Sequence, residues 1–340
     1  MNKRRSILVT IILLLAPVLN MHGQDKLSLK LLQKIPMPKV KGRLDHFGVD
    51  LTGKRLFVAA LGDDQNTVEV IDLQSGKWVN SIPGLSKPQG LFYSPDFKKL
   101  FVANGTDGTC KIFSGDTFQL MDNLPLGTDA NHVGYDPATK YLYIGFGDEK
   151  SGGLAIIDTR TNKHVADIKT DARPGGIKIE KSRPQTFVTL SRATSLGLVD
   201  LKKREQVAAW PTGAATNVSL TLDEKHHRLF DGVRDPATLI VLDTETGKEV
   251  SRTEGVAGID DLWYDSALDR VYASGGRGFD VGYVYTYQRK DADHYDLIGK
   301  VPTAPGAGTS FWSAELNRLY VAAPANDTEE AAILVFEPQP

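Results

Sequence analysis

The chain has 340 residues, with 40 Lys and Arg against 42 Asp and Glu, a formal charge of −2 and a single cysteine. Near-balanced charge argues against a general polyanion binder, whose affinity comes from neutralising phosphates, and one cysteine excludes an intramolecular disulfide. Stability has to come from a core, and a chain of this size buries about three quarters of its unfolded surface.

In chain order, "MNKRRS" is basic, "ILVTIILLLAPVL" is apolar and "NMHGQD" is a polar exit with Gly23 as a cleavage point. This reads as an export signal over residues 1–23. The apolar run is short for a membrane span, and no Cys follows it directly to carry a lipid. The expected mature protein is one domain, residues 24–340, periplasmic or secreted and monomeric. Losing Lys3, Arg4 and Arg5 with the signal takes the formal charge from −2 to −5.

After the signal an apolar pair recurs at Leu56-Phe57, Leu100-Phe101, Leu142-Tyr143, Thr186-Phe187, Leu229-Phe230, Val271-Tyr272 and Leu319-Tyr320. The period is about 44 residues, as in four-stranded propeller blades. Each unit reads as an alternating strand, a polar turn, a strand such as "RLFVAA", a loop, a strand such as "VEVIDL", a turn and a last strand, and no long 3.6-residue periodicity is present. The aspartates that end the third strand, Asp72, Asp158, Asp200 and Asp243, precede turns and repeat, so they read as turn residues. Cys110, in "TCKIF", reads as a packed small residue. The seventh unit has three recognisable strands, and the strand-like segment within residues 27–38 is expected to complete it, covering an open sheet edge. The predicted fold is an all-β, seven-bladed β-propeller closed by an N-terminal strand.

The segments "VEVIDLQSGKWVNSI", "LAIIDTRTNKHVADI" and "LIVLDTETGKEVSRT", following "LFVAA", "LYIGF" and "RLFDG", resemble the YVTN-repeat β-propeller family of exported, YncE-like proteins over residues 27–337. The resemblance implies an exported propeller that binds ligands or partners, single-stranded DNA affinity being one function it brings to mind. It also implies that first strands line a central channel and that binding loops gather where those strands begin.

Residues that keep a repeat fold together recur, whereas residues that bind something asymmetric need not. Eleven places before the first residue of each apolar pair stand Asp45, Gln89, Asn131, Gly175, Val218, Asp260 and Gly308; one place later stand His46, Gly90, His132, Gly176, Ser219, Asp261 and Thr309. Blades one, three and six thus carry polar or ionisable pairs that the fold does not demand. One reading is a polar pocket at the channel mouth made by His46, Asn131, His132, Asp260 and Asp261, with Asp45 and Gln89 nearby. The other is that these groups bond loop backbone or face water. The places nine and seven before the pair are nearly all apolar and are expected to pack between blades.

Loops on the same face bring Arg192, Arg234 and Arg277, and Arg173 precedes the first strand of blade four. Guanidinium groups grip carboxylates in bidentate fashion; alternatively these arginines form a solvated rim paired with Asp148, Asp235 and Asp280. Two histidines and an aspartate can ligate zinc, so a divalent metal is an open alternative, although no compact ligand motif is present. Asp63, Asp64, Asp107 and Asp148 lack calcium-loop spacing, and His226-His227 read as solvated.

Three functions compete. The first is binding of a small polar or anionic ligand, or a protein partner, through Asp45, Gln89, Asn131, Asp261 and the arginines. The second is a hydrolase, lactonase or lyase with His46 or His132 as general base and Asp260 or Asp261 orienting it or holding a metal. The third is single-stranded nucleic-acid binding, which needs exposed aromatics interleaved with basic groups.

Overall fold

The structure, a computed structural model, describes residues 28–62 and 65–340. The export signal with its Gly23 cleavage point, and the pair Asp63 and Asp64, lie outside the described residues.

The described residues form 28 strands and no helix, arranged in seven four-stranded antiparallel sheets. The expected seven-bladed all-β propeller is what the chain builds. Blades one to six occupy residues 43–82, 88–125, 133–170, 174–211, 215–254 and 259–302. Blade seven takes Ser310–Ser313, Arg318–Ala323 and Ala332–Pro338 from the C-terminal end, and Leu29–Pro36 adds antiparallel along Ala332–Pro338 as its outermost strand. Leu29 and Ile35 of that strand are buried, so the closing strand contributes to the core as well as satisfying an edge.

The sequence expectation of one apolar and one polar parity holds only for the outermost strands. Second strands are apolar on both parities because each face meets a different neighbour. Leu56, Val58 and Ala60 pack with Tyr320, Ala322 and Ile333 of blade seven, while Phe57 and Ala59 pack with Leu91, Tyr93 and Leu100 of blade two. The same division recurs around the ring, and Phe47, Leu91, Ile177, Leu220 and Leu262 of the first strands join these inter-blade clusters.

The repeated aspartates are turn residues, as expected. Asp72 accepts the Ser75 N–H, Asp158 that of Arg160, Asp200 those of Lys202 and Lys203, and Asp243 those of Glu245 and Thr246. His226 differs from its reading as solvated: it is half-buried, with Nδ1 2.7 Å from Asp223 Oδ2 and Nε2 3.1 Å from Arg289 Nη1. His227 is exposed. Cys110 is buried, and burial pushes its thiol up to about 12.

Two kinds of register shift recur. Every outermost strand carries one extra residue relative to its neighbour, and that residue is apolar: Leu32, Val79, Met121, Val165, Val207, Val250 and Ile298. The innermost strands of blades one, two, four, five and six shift near their beginnings, between Leu44 and Phe47 in blade one and between Ile259 and Asp261 in blade six.

Candidate functional site

The innermost shift explains where the non-repeating residues go. A bulge bends its strand and re-aims the side chains at the extra residue, and here it falls on the two places that hold Asp45-His46 and Asp260-Asp261. In blade three the same two places precede the strand and are held by single bonds, with Asn131 N–H donating to Gly145 O and Gly145 N–H donating to His132 O, both at 2.9 Å. Gly90 makes room for this, since a Cβ there would stand 2.0 Å from Asn131 O.

The result is a cup of about 830 Å³ at the channel mouth above a chamber of about 370 Å³ inside the channel. His46 and His132 line both and form the neck between them. Asp45, His46, Asn131, His132, Arg173, Arg192, Arg234, Asp260 and Arg277 all line the cup. Asp261 lies below, on the chamber side. Gln89 lines neither: it is buried and donates to Asp129 Oδ1 at 3.1 Å and to Ala130 O at 3.2 Å, so it supports the wall.

The two histidine rings pack together, tilted, with centroids 4.4 Å apart, and sit in opposite fields. His46 Nε2 is 3.6 Å from Asp45 Oδ1, and its Nδ1 is 3.6 Å from Asp261 Oδ1. Burial works against its charge, but Asp45, Asp261 and Asp260 together outweigh this and raise its pKa from 6.5 to about 9. His132 has no such carboxylate. Burial, the charge on His46, and Arg173, Arg234 and Lys178 hold it well below 6.5. The neck therefore presents one imidazolium and one neutral imidazole at neutral pH.

The arginines pair with acids other than those expected from sequence. Arg234 forms a close ion pair with Asp260 and donates to Ile259 O at 2.8 Å, and Arg277 Nη1 stands 3.7 Å from the same carboxylate. Burial raises the Asp260 pKa even so, with Arg234 opposing. Because Asp260 is committed to two arginines, it does not serve either histidine as an orienting partner; Asp261 stands beside His46, and its Oδ2 accepts the Ser310 N–H at 2.9 Å. Arg192 is largely exposed and pairs with Glu149 at 2.6 Å. Arg173 Nε is 3.4 Å from Asp129.

Arg43, which sequence reasoning passed over, also enters the cup and forms a close ion pair with Asp45. Three buried polar atoms of the cup residues have no partner among the described residues: Arg43 Nε, Arg173 Nη1 and Asn131 Oδ1. Buried polar groups are almost always bonded to something, so two donors and one acceptor in the cup wall lack compensation, which a ligand or ordered water would supply once these side chains turn towards it. Among the described residues no three His, Cys, Asp or Glu side chains converge as metal ligands would.

No protein-family model matches the chain, and no curated protein sequence matches it. Solved structures do. A chain of a mitotic checkpoint complex is 14% identical, with 100% of both chains covered and a TM-score of 0.76. A chain of Kuenenia stuttgartiensis hydrazine synthase is 16% identical over 91% of this chain and 96% of its own, with a TM-score of 0.71. The WD40 repeats of RRP9 are 12% identical over 92% and 98%, with a TM-score of 0.75. At these identities the likeness is one of fold.

Proposed function

We propose that the protein is an exported propeller of the YVTN-repeat type that binds a small hydroxy-carboxylate, such as a sugar acid, in the cup. The observation that carries this reading is the set of unpartnered buried atoms. Arg43 Nε and Arg173 Nη1 need an acceptor, which a carboxylate supplies, and Asn131 Oδ1 needs a donor, which an adjacent hydroxyl supplies. The basic-then-apolar segment at residues 1–23 supports export. A protein partner offering a carboxylate to the same arginines is the other occupant this reading admits.

Calorimetric titration with gluconate and galacturonate, against neutral glucose as control, tests it. Saturable binding of the acids is expected, weakened about tenfold or more by Arg173→Met and by Asn131→Leu, since a hydrogen bond to a charged group contributes about 1.5–3 kcal/mol. Equal binding of glucose, or no effect of either substitution, would overturn the reading.

A second reading, acid–base chemistry on the same ligand, is supported by the opposite displacement of the two histidines. Paired groups whose environments push their pKa values apart take acid and base roles, here His46 as acid and His132 as base, within reach of one bound molecule at the neck. Turnover of a sugar lactone or uronide that His132→Gln abolishes, with gluconate binding intact, would establish it.

A further inference from the structure

Below the neck the channel changes character. The residues eight places before each apolar pair line it in every blade but the fifth, and four of them are large: Phe92 of blade two, Lys178 of blade four, Trp263 of blade six and Phe311 of blade seven. Phe92 stacks on Tyr135 of blade three at 4.2 Å, and Trp263 meets Phe311 edge-on at 5.4 Å. Blades two and three stand opposite blades six and seven in a ring of seven, so two aromatic pairs face one another across the chamber. Gly48 and Gly134 occupy the equivalent places in blades one and three and line the chamber without a side chain; a Cβ at Gly134 would stand 2.6 Å from Ile177 Cγ2.

One charge enters this space from the wall. Lys178 Nζ lies over the Trp263 ring, 4.6 Å from its centroid. Among the described residues it has no ion-pair partner. Asp261, the carboxylate that acts on it, already faces His46 and holds the Ser310 N–H. Burial lowers the Lys178 pKa, which is the mark of an ammonium short of compensation. A cation–π contact is a weaker partner for a desolvated amine than an anion placed against it.

We infer that the chamber is a second binding site, distinct from the cup, which takes a planar aromatic carboxylate with its ring against the facing aromatic pairs and its carboxylate on Lys178. The chamber, about 370 Å³, falls at the lower end of the roughly 300–1,000 Å³ of small-molecule pockets, which suits a ligand of one or two fused rings. Apolar walls with a single placed charge fix both its class and its orientation. A sugar acid has no flat apolar face to offer here, and an uncharged arene leaves the ammonium uncompensated.

The test uses 2-naphthoate as probe, with 2-naphthamide as its uncharged counterpart. Saturable binding of 2-naphthoate by calorimetry and quenching of tryptophan fluorescence are expected. Lys178→Met should weaken binding about tenfold or more and Lys178→Arg should retain it, while 2-naphthamide should bind no better than to Lys178→Met. Trp263→Phe should keep calorimetric binding and lose most of the quenching. Arg173→Met should leave 2-naphthoate binding unchanged, which separates this site from the cup. Absence of saturable binding, equal binding of acid and amide, or loss of binding with Arg173→Met but not Lys178→Met would overturn the proposal.

Discussion

His46 and His132 come from blades one and three, meet across Gly90 of blade two with their ring planes tilted by 53°, and share one positive charge between them. His46 holds it because Asp45 and Asp261 flank that ring. His132 is refused it because it is buried and faces the charged His46 and the cationic wall.

A ring-proton NMR titration should find one histidine with a midpoint near 9 and another that stays neutral until well below 6.5. Asp261→Asn should bring the high midpoint down. The stability consequence has opposite signs for the two rings. The raised His46 pKa contributes stability that is fully present below 6.5 and is lost as pH rises through about 9, whereas the depressed His132 pKa gives a contribution present above 6.5 and lost as pH falls. His46→Gln should therefore cost stability at pH 6.5 and cost progressively less towards pH 9 in chemical denaturation. A constant difference across that window would contradict the charge assignment.

Asp231 is fully buried in the second strand of blade five, and among the described residues neither carboxyl oxygen has a partner. Other blades place Val58, Val102, Ile144, Val188, Ala273 and Val321 at this position. Burial holds its pKa well above 3.8, with Arg252 opposing. A raised carboxyl pKa means stability present below 3.8 and lost as pH rises. Asp231→Val should stabilise the protein at pH 7 by about 1–3 kcal/mol, with the gain shrinking as pH falls towards 4. Destabilisation at pH 7 would show that the carboxyl has an unseen partner.

Removing residues up to Pro36 should leave the edge of Ala332–Pro338 open and empty the places of Leu29 and Ile35. Size-exclusion chromatography should show association and the melting temperature should drop; a monomeric deletion variant that melts unchanged would place ring closure elsewhere.

The Cys110 thiol, buried and raised to about 12, should not react with a chromogenic disulfide at pH 8 until the protein unfolds. Stoichiometric labelling of the native protein would mean that blade two opens readily.

Much of this was legible. The 44-residue period, the closing strand and the turn aspartates follow from repetition, because a residue that recurs in equivalent places does the same structural work each time. The cup residues were found by the opposite signal, failure to recur. Two things were not read. Arg43 stands thirteen places before its apolar pair, outside the two places, eleven and ten before it, at which the blades differ in polarity. Lys178, Trp263, Phe92 and Phe311 stand between the two apolar columns at nine and seven places, where channel-facing parity puts them. They vary from blade to blade as the cup residues do, and the same count at that place finds them. Of the two partners of His226, Asp223 lies three residues away in the same turn, whereas Arg289 lies 63 residues away, a distance that a turn sequence does not encode.

The extra apolar residue in each outermost strand bears on how the protein behaves in a crowd. A propeller exposes seven strand edges at its rim, each a template for another molecule's backbone. An incoming strand that paired with one of these edges would meet the extra residue partway along, and beyond it every side chain would point to the wrong side. Val79, Met121, Val165, Val207 and Ile298, between 41% and 56% exposed, are thus apolar groups placed where they interrupt cross-molecular pairing, and the N-terminal strand brings its own interrupter, Leu32, to the blade that it seals.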